Sequence, residues 1–443
     1  MEKKITEPES RVPVLAEADV AVLGGGPAGI GAAIAAADAG ASVVIIERYG
    51  FLGGIPAICN MEPSSWCREA ETVMPGGVQA MLEKRILERD AAFPPFYTPS
   101  TSLVYDTEML KQVLDDLILE HGIRPIYHTL ITAPYIENGI VKGVFIESKS
   151  GRQAVLAKRL VDCTGDADIA ARAGCPFEQC DLGPDEKTNL MFGTLIFGAS
   201  DVDTEEFMDN LKAHPELLDR PRHEFISTGF KKAKAAGYPI PPDGFQDKVI
   251  LNHLTQGDAT AINRVRVPVD GTDVQSLTQA EIKSRKCVLD TLELLKKFEP
   301  GFEAARLRNF ATAMGVRETR RIKGAYQLTQ EDIDGQRHFE DTVAVYPVCA
   351  DGPGRVAVAT DAWFQIPFGI MVPSGAENLL VAGRCVSATK DATHTSRGVD
   401  FAFATGQAAG AASALSIKQG KNSRAVDIKA LQAELVRQGV RIG

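Results

Sequence analysis

The residues with the plainest chemical meaning are Gly24, Gly26 and Gly29 in the segment Gly24-Gly25-Gly26-Pro27-Ala28-Gly29, with Glu47 further along the chain. At this spacing the first glycine permits a tight turn, the second lets backbone amides approach a diphosphate, and the third lets a helix pack close to the preceding strand. Pro27 and Ala28 open that helix, whose first N–H groups and positive dipole end face the phosphates. Glu47 is placed to accept hydrogen bonds from both ribose hydroxyls of an adenosine, a geometry that a 2′-phosphate would violate. The ligand implied is a dinucleotide without that phosphate, FAD or NAD, and these residues alone do not choose between them.

The surrounding sequence supplies the elements such a site needs. Ala18–Leu23 is a short apolar run that predicts a strand, the Ala-rich stretch to Asp38 predicts a helix, and Ser42–Ile46 predicts a second buried strand. Met109, Leu110, Val113, Leu114, Leu117 and Ile118 share one helical face, so a helix is expected from Asp106 or Thr107 to His121, stopped by Gly122. Three β-rich runs follow at 124–134, 140–147 and 153–163, divided by Asn138-Gly139 and Ser150-Gly151 turns, which predicts an antiparallel meander feeding a last strand. From about 175 to 365 the βαβ rhythm is lost. There Thr278 and Glu281 have the spacing of a capping box ahead of a helix to Phe298. Asn378–Ala382 reads as a strand and Phe401–Ser416 as a Gly/Ala-rich helix. The expected fold is α/β: a Rossmann-type domain with an antiparallel β-meander, formed by residues 1–174 and 366–443, with an inserted α+β substrate or cap domain at 175–365.

Further motifs occur in order: Glu47-Arg48-Tyr49-Gly50-Phe51-Leu52-Gly53-Gly54, Asp162-Cys163-Thr164-Gly165-Asp166-Ala167-Asp168, Gly315-Val316-Arg317-Glu318-Thr319-Arg320-Arg321, Val381-Ala382-Gly383-Arg384-Cys385 and Gly406-Gln407-Ala408-Ala409-Gly410. Over nearly its whole length the chain is similar to the FAD-dependent oxidoreductase family that includes relatives of the flavin-carrying component of heterodisulfide reductase. The resemblance implies FAD as the cofactor. It implies that Glu47 and Arg48 flank the adenosine ribose, that Gly53 and Gly54 let the chain pass close to the cofactor, and that Leu130 offers backbone beside the adenine. Thr164, Gly165 and Asp168 would belong to a second cofactor-facing strand end. Gly383 and Arg384 would lie along the pyrophosphate and ribityl chain. The helix entered near Gly406 and Ala408 would aim its N-terminus at the flavin ring, where a positive dipole end stabilises an anionic reduced flavin.

Substrate residues are sought just before that helix, where His394, Thr395, Ser396 and Arg397 lie. His394 and Arg397 are the catalytic candidates, and Arg397 is of the kind that clamps a carboxylate bidentately or steadies a developing enolate. The bland alternative for Arg397 is a tie between its loop and the second domain. For Arg317, Glu318, Arg320 and Arg321 a solvated face or an interdomain ion-pair network outweighs an anion cleft. His253, Arg264 and Arg266 read as structural residues of a strand with one polar face. Ala362-Trp363-Phe364-Gln365-Ile366-Pro367 keeps only the Ile-Pro of the two-tryptophan segment of flavin-dependent halogenases, which disfavours halogenation.

Composition excludes other classes. A formal charge of −10 repels nucleic acid and anionic lipid, and 44% apolar with 24% charged residues describes an ordinary globular chain of 443 residues. None of the eight cysteines forms a CxxC pair, which argues against iron–sulfur clusters and structural zinc, so no metal is expected. The N-terminal stretch lacks the pattern of a secretory signal and no apolar run approaches bilayer length, so a cytoplasmic, membrane-free protein is expected. The function implied is hydride transfer between bound FAD and a small organic, carboxylate-bearing substrate. Only one glycine fingerprint is present, so electrons pass through the substrate or an external donor or acceptor. A non-catalytic, nucleotide-binding or electron-relay flavoprotein and a flavin monooxygenase are the competing functions, and a homo-oligomer is compatible with either.

Overall fold

The computed structural model of the chain describes residues 5–6, 9–65, 68, 72–93, 102–179, 190–219, 224–241, 248–250, 253–255, 257–349 and 358–443. Strand β1 (Val14–Leu23) runs into helix α1 (Pro27–Asp38) and strand β2 (Val43–Ile46), the βαβ unit expected. Asp106 caps helix α2 (Thr107–Glu120), accepting from the N–H groups of Glu108 and Met109. The next β-rich run is split in two. β3 (Arg124–Ile126) pairs in parallel with β2, whereas β4 (Leu130–Glu137) starts an antiparallel meander through β5 (Ile140–Ser148) to β6 (Gly151–Asp162). The break is His128, held at φ +51 while its N–H and that of Thr129 donate to the carbonyls of Tyr49 and Glu47.

The first sheet thus runs β3-β2-β1-β6-β5-β4. β6 is long enough to serve two partners, the meander at its start and a further parallel strand at its end. Both faces are covered: Val20, Val22 and Ile45 face the alanines of α1, while Ala21, Leu23, Val44 and Ile46 face the meander. Near-continuous apolar strands are what burial on both sides requires.

A second, mostly antiparallel sheet is centred on β7 (Gly193–Ser200), β8 (Asp258–Val267) and β9 (Arg306–Phe310), with helix α3 (Val274–Phe298) packed on it. Helix α3 starts before the capping-box site. Asp273 caps it by accepting from Gln275 and Ser276 N–H, so Thr278 lies inside the helix and Glu281 accepts instead from Met314 N–H at 2.7 Å. The chain then returns to the first core. The hairpin β10 (Thr342–Cys349) and β11 (Val358–Pro367) contributes Val343, Ala344, Tyr346, Phe364 and Ile366 to the cluster under α1, β12 (Leu379–Val381) pairs with β6, and helix α4 (Val399–Lys418) closes the layer.

Helices α1 and α4 touch backbone to backbone. A Cβ on Gly406 would be driven into the carbonyl of Ala28, one on Gly410 into that of Ala32, and one on Gly31 would come within 2.6 Å of the Phe403 oxygen. Since 406 lies against 28 and 410 against 32, the helices run parallel. A mid-helix Gly→Ala change normally stabilises by about 0.5–1 kcal/mol. Gly410→Ala should do the opposite, lowering stability by about 1–3 kcal/mol through overpacking, read as a lower midpoint in guanidinium melts. A raised midpoint would show that the helices do not meet this closely.

Candidate functional site

The sheet registers align four strand ends in a row: Ile46 opposite Leu23, Leu23 opposite Asp162, and Asp162 opposite Val381. The segments leaving these ends are Glu47-Arg48, Gly24-Gly25-Gly26, Cys163-Thr164-Gly165 and Ala382-Gly383-Arg384. Four of the motifs singled out in the sequence therefore leave one edge of one sheet, the carboxyl edge, where open α/β sheets bind their ligands.

At the second of these ends the glycine loop makes a narrow mouth. Gly24 sits at φ +106, with its Cα so near the Cys163 carbonyl that a Cβ would come within 2.6 Å of that oxygen. Gly53 N–H donates to the Gly25 carbonyl at 2.9 Å, and a Cβ on Gly54 would lie 2.6 Å from the Cα of Gly26. Gly26 is the N-cap of α1, no side chain caps the helix, and Pro27 has no N–H to give. The first-turn amides of Ala28 and Gly29 have no acceptor within the helix and open into the mouth. Such an amide cradle suits a diphosphate.

Glu47 is 6% exposed, with one carboxylate oxygen accepting from Gly25 N–H at 2.7 Å and the other from Tyr49 N–H at 2.9 Å. Burial raises its pKa, partly opposed by those two N–H donors and by Arg48. Each oxygen keeps a lone pair for a ribose hydroxyl. Arg48 lays its guanidinium over the Tyr49 ring, 5.0 Å from the centroid. Leu130 exposes its side chain, and the segment leading to it is zipped along Glu47–Tyr49 through the two backbone bonds described above.

The third strand end is organised by Asp162, a motif residue to which the sequence alone assigns no task. Fully buried, it accepts from the Thr164 hydroxyl at 2.7 Å and from the N–H groups of Thr164, Ile169 and Ala170 at 3.1, 2.9 and 2.8 Å. The Thr164 hydroxyl in turn accepts from Asp168 N–H at 3.0 Å. These bonds fix the loop that carries Gly165, at φ +81. Asp and Thr two residues apart at a strand end are the signal that could have found this turn.

Arg384 does something other than lie free along a pyrophosphate. Its guanidinium donates to the Gly165 carbonyl at 2.9 Å, to the Val316 carbonyl and to the Asp166 carboxylate. Asp166 also accepts from the Thr319 hydroxyl at 2.7 Å, and Asp168 pairs with Arg320 at 3.0 Å. Glu318, its side chain wholly buried, pairs with Arg321 at 2.7 Å and with Lys390. The mixed-sign run 317–321 is thus an ion-pair network that bolts the third and fourth strand-end loops to the chain arriving from the second sheet, rather than an anion cleft.

Gly383, at φ +83, fits between the helices: a Cβ there would lie 3.0 Å from that of Ala28 and 3.8 Å from that of Ala402. Helix α4 starts at Val399 with Gly398 as N-cap, seven residues ahead of Gly406. Gly406 and the fully buried Ala408 are therefore mid-helix packing residues, and the helix end near the site is Gly398–Asp400. Because α1 and α4 run parallel, that end projects about 10 Å beyond the amide mouth. His394 and Arg397 sit half-buried in the turn 393–397 that leads into it. The side chain of His253 lies outside the described residues.

Glu62 links the two halves of the molecule. It is 8% exposed, accepts from the Thr260 hydroxyl of β8 at 2.9 Å, and burial pushes its pKa up to about 8. A carboxyl that keeps its proton in the fold and loses it readily when unfolded gives stability below pH 4.5 that is lost as pH rises towards 8. Glu62→Gln should therefore be more stable than the parent at pH 8 by about 1–3 kcal/mol and no more stable at pH 4.5, measured by chemical denaturation across that range. Parallel profiles would contradict the buried, protonated state.

Among the described residues no helix is long and apolar enough to cross a membrane. The chain is 30% identical over 167 residues to a digeranylgeranylglycerophospholipid reductase of Methanoculleus marisnigri, covering 35% of this chain and 41% of that protein. It is 32% identical over 122 residues to a soluble pyridine nucleotide transhydrogenase of Mycobacterium bovis, covering 26% of each. The chain thus spans less than half the length of these relatives. The solved flavin-dependent brominase Bmp2 shares its fold at a TM-score of 0.51 and 13% identity, over 96% of this chain and 84% of that one. Residues 19–435 match the FAD dependent oxidoreductase family. The glycine mouth with its open amides, the buried Glu47 carboxylate beside it and a match of that extent agree: this chain belongs to the FAD dependent oxidoreductase family, and its cofactor is FAD.

Proposed function

We propose that this enzyme moves a hydride between bound FAD and a small, carboxylate-bearing organic substrate. The observation that carries the reading is the single row of strand ends, which sets an amide cradle in the middle, a carboxylate on one flank and the start of α4 on the other. The cradle of Gly26, Ala28 and Gly29 would hold the diphosphate. Glu47, with the backbone leading to Leu130, would hold the adenosine on the β2 side. The other half of the cofactor would then extend across Thr164, Gly165 and Gly383 towards Gly398. Asp168 and Arg384 would act through the ion pairs that fix those loops. Bound FAD supplies the two-electron chemistry that no protein side chain provides.

His394 and Arg397, one helical turn apart ahead of α4, would face the substrate. The guanidinium would clamp its carboxylate and the imidazole would hold or deliver the proton that accompanies the hydride. Electrons enter or leave through the substrate or a separate small carrier, since one glycine fingerprint serves one dinucleotide. A narrower kinship with relatives of the flavin-carrying component of heterodisulfide reductase is supported by motif order alone.

Two measurements test this reading. Glu47→Gln, which removes the charge that favours both ribose hydroxyls, should weaken FAD binding about 10- to 100-fold by fluorescence titration. Unchanged affinity would remove Glu47 from the site. Anaerobic mixing with a panel of small acids, alcohols, amines and enones should reveal one class that bleaches or reoxidises the flavin. With that class, Arg397→Met should raise KM about 10- to 100-fold for free acids and leave their methyl esters unaffected. Equal losses for acid and ester would show that Arg397 serves the fold and does not clamp the substrate.

A further inference from the structure

The start of α4 carries a carboxyl group that the mechanism above leaves unused. Asp400, in the first turn of the helix, is 1% exposed. Its Oδ1 accepts from the Tyr346 hydroxyl of β10 at 2.5 Å and from Phe401 N–H at 3.1 Å, and its Oδ2 accepts from the Ser65 hydroxyl at 2.8 Å. Tyr346 and Ser65 are themselves buried, and Gly398 leaves room for the cluster, since a Cβ there would come within 2.9 Å of Oδ1. Among the described residues no cation pairs with Asp400. The other titratable groups around it are Tyr105, whose buried hydroxyl senses both Asp400 and Glu83, and beyond it the Arg68–Glu83 ion pair at 2.7 Å.

Carboxylates are costly to bury without a cation, and this one has three hydrogen-bond donors instead. Its position gives the cost a use. The helix start lies beyond the amide mouth on the side away from Glu47, and an ionised Asp400 cancels part of the positive dipole end there. A negative charge arriving near the same helix end would disfavour the ionised form further.

We propose that Asp400, held by Tyr346 and Ser65, is a positioning residue that takes up a proton when the flavin is reduced and releases it on reoxidation. The inference rests on the proposed placement of the flavin half of FAD beside Gly398. The step forms one O–H bond, on the Asp400 carboxylate. Its proton comes from a hydronium ion of solvent, whose O–H bond breaks to leave water, and the two electrons come from a hydride-donating substrate or, in the test below, from dithionite. Tyr346 or Ser65 turns its hydroxyl from donor to acceptor as the acid is formed. Burial already raises the pKa of Asp400, against the hydrogen bonds from Tyr346 and Ser65, and so favours that uptake. By linkage, the proton taken up on reduction makes the flavin potential fall more steeply with pH.

The test is a dithionite titration of the FAD-loaded full chain at pH 5 to 9, read by flavin absorbance, for the parent and Asp400→Asn. The gap between the two should close as the pH is lowered and the parent's carboxyl takes up its proton. At pH 9 the variant should favour reduced over oxidised flavin about tenfold more strongly, a rise of about 30 mV for two electrons. An offset that is the same at every pH would overturn the proposal, as would none at all. Should Asp400→Asn not fold, Tyr346→Phe carries the test. Losing a donor to the ionised acid should move the bend in the parent's profile to higher pH, and an unmoved bend would overturn the proposal. Protein that stays colourless with FAD would strike the flavin reading and this one with it, whereas yellow protein with a pH-independent offset strikes this one alone.

Discussion

A helix crossing that only hydrogen side chains permit governs the geometry of this molecule. Gly406 and Gly410 of α4 lie directly on the backbone of Ala28 and Ala32 in α1, with Gly31 returning the contact from the other side. Because the crossing is parallel and close, two helix starts that are 372 residues apart in the chain, Pro27 and Val399, open in the same direction. One ends level with the glycine mouth and the other projects past it. The same contact leaves just enough room for Gly383 between them. The amide mouth and the helix end beyond it are thus placed by packing, before any ligand contact is made.

What the helices set on one side, ion pairs set on the other. The loops after β6 and β12 are each tied into the polar network of Asp166, Arg384, Thr319 and Arg320. Such a network holds its loops through many fixed donors and acceptors, and several partly buried pairs sharing partners bind more firmly than isolated surface pairs. It also joins the second sheet to the carboxyl edge of the first, since Val316 and Thr319 lie in the segment that leaves β9. A second sheet anchored so close to the strand ends can shape the space in front of them.

The parts of this arrangement that were legible in the sequence are those written in local patterns. The glycine spacing with Glu47 marked the mouth, the amphipathic stripe marked α2, and the apolar runs marked β1, β2 and β12. The parts that were not legible depend on partners far along the chain. Gly406 and Ala408 looked like cofactor residues because a Gly/Ala-rich segment gives no clue to which of its turns is the helix start. Arg384 was expected along the pyrophosphate and ribityl chain, and its protein acceptors, two carbonyls and Asp166, could not be foreseen because they lie in other segments. Thr278 and Glu281 satisfied a capping pattern that Asp273, five residues earlier, had already made unnecessary. Asp400 was invisible as a functional group, since nothing local announces that a tyrosine 54 residues back and a serine 335 residues back will meet it.

In the arrangement we propose, the mouth between β1 and α1 grips the diphosphate of FAD, with the adenosine on the Glu47 flank. Its most direct measurement is displacement of flavin from the purified protein, followed by fluorescence. One equivalent of FAD should bind and be driven off by ADP, which carries the diphosphate and adenosine alone, while riboflavin at the same concentration should leave it in place. Protein that holds FMN or riboflavin as well as FAD, and ignores ADP, would contradict it.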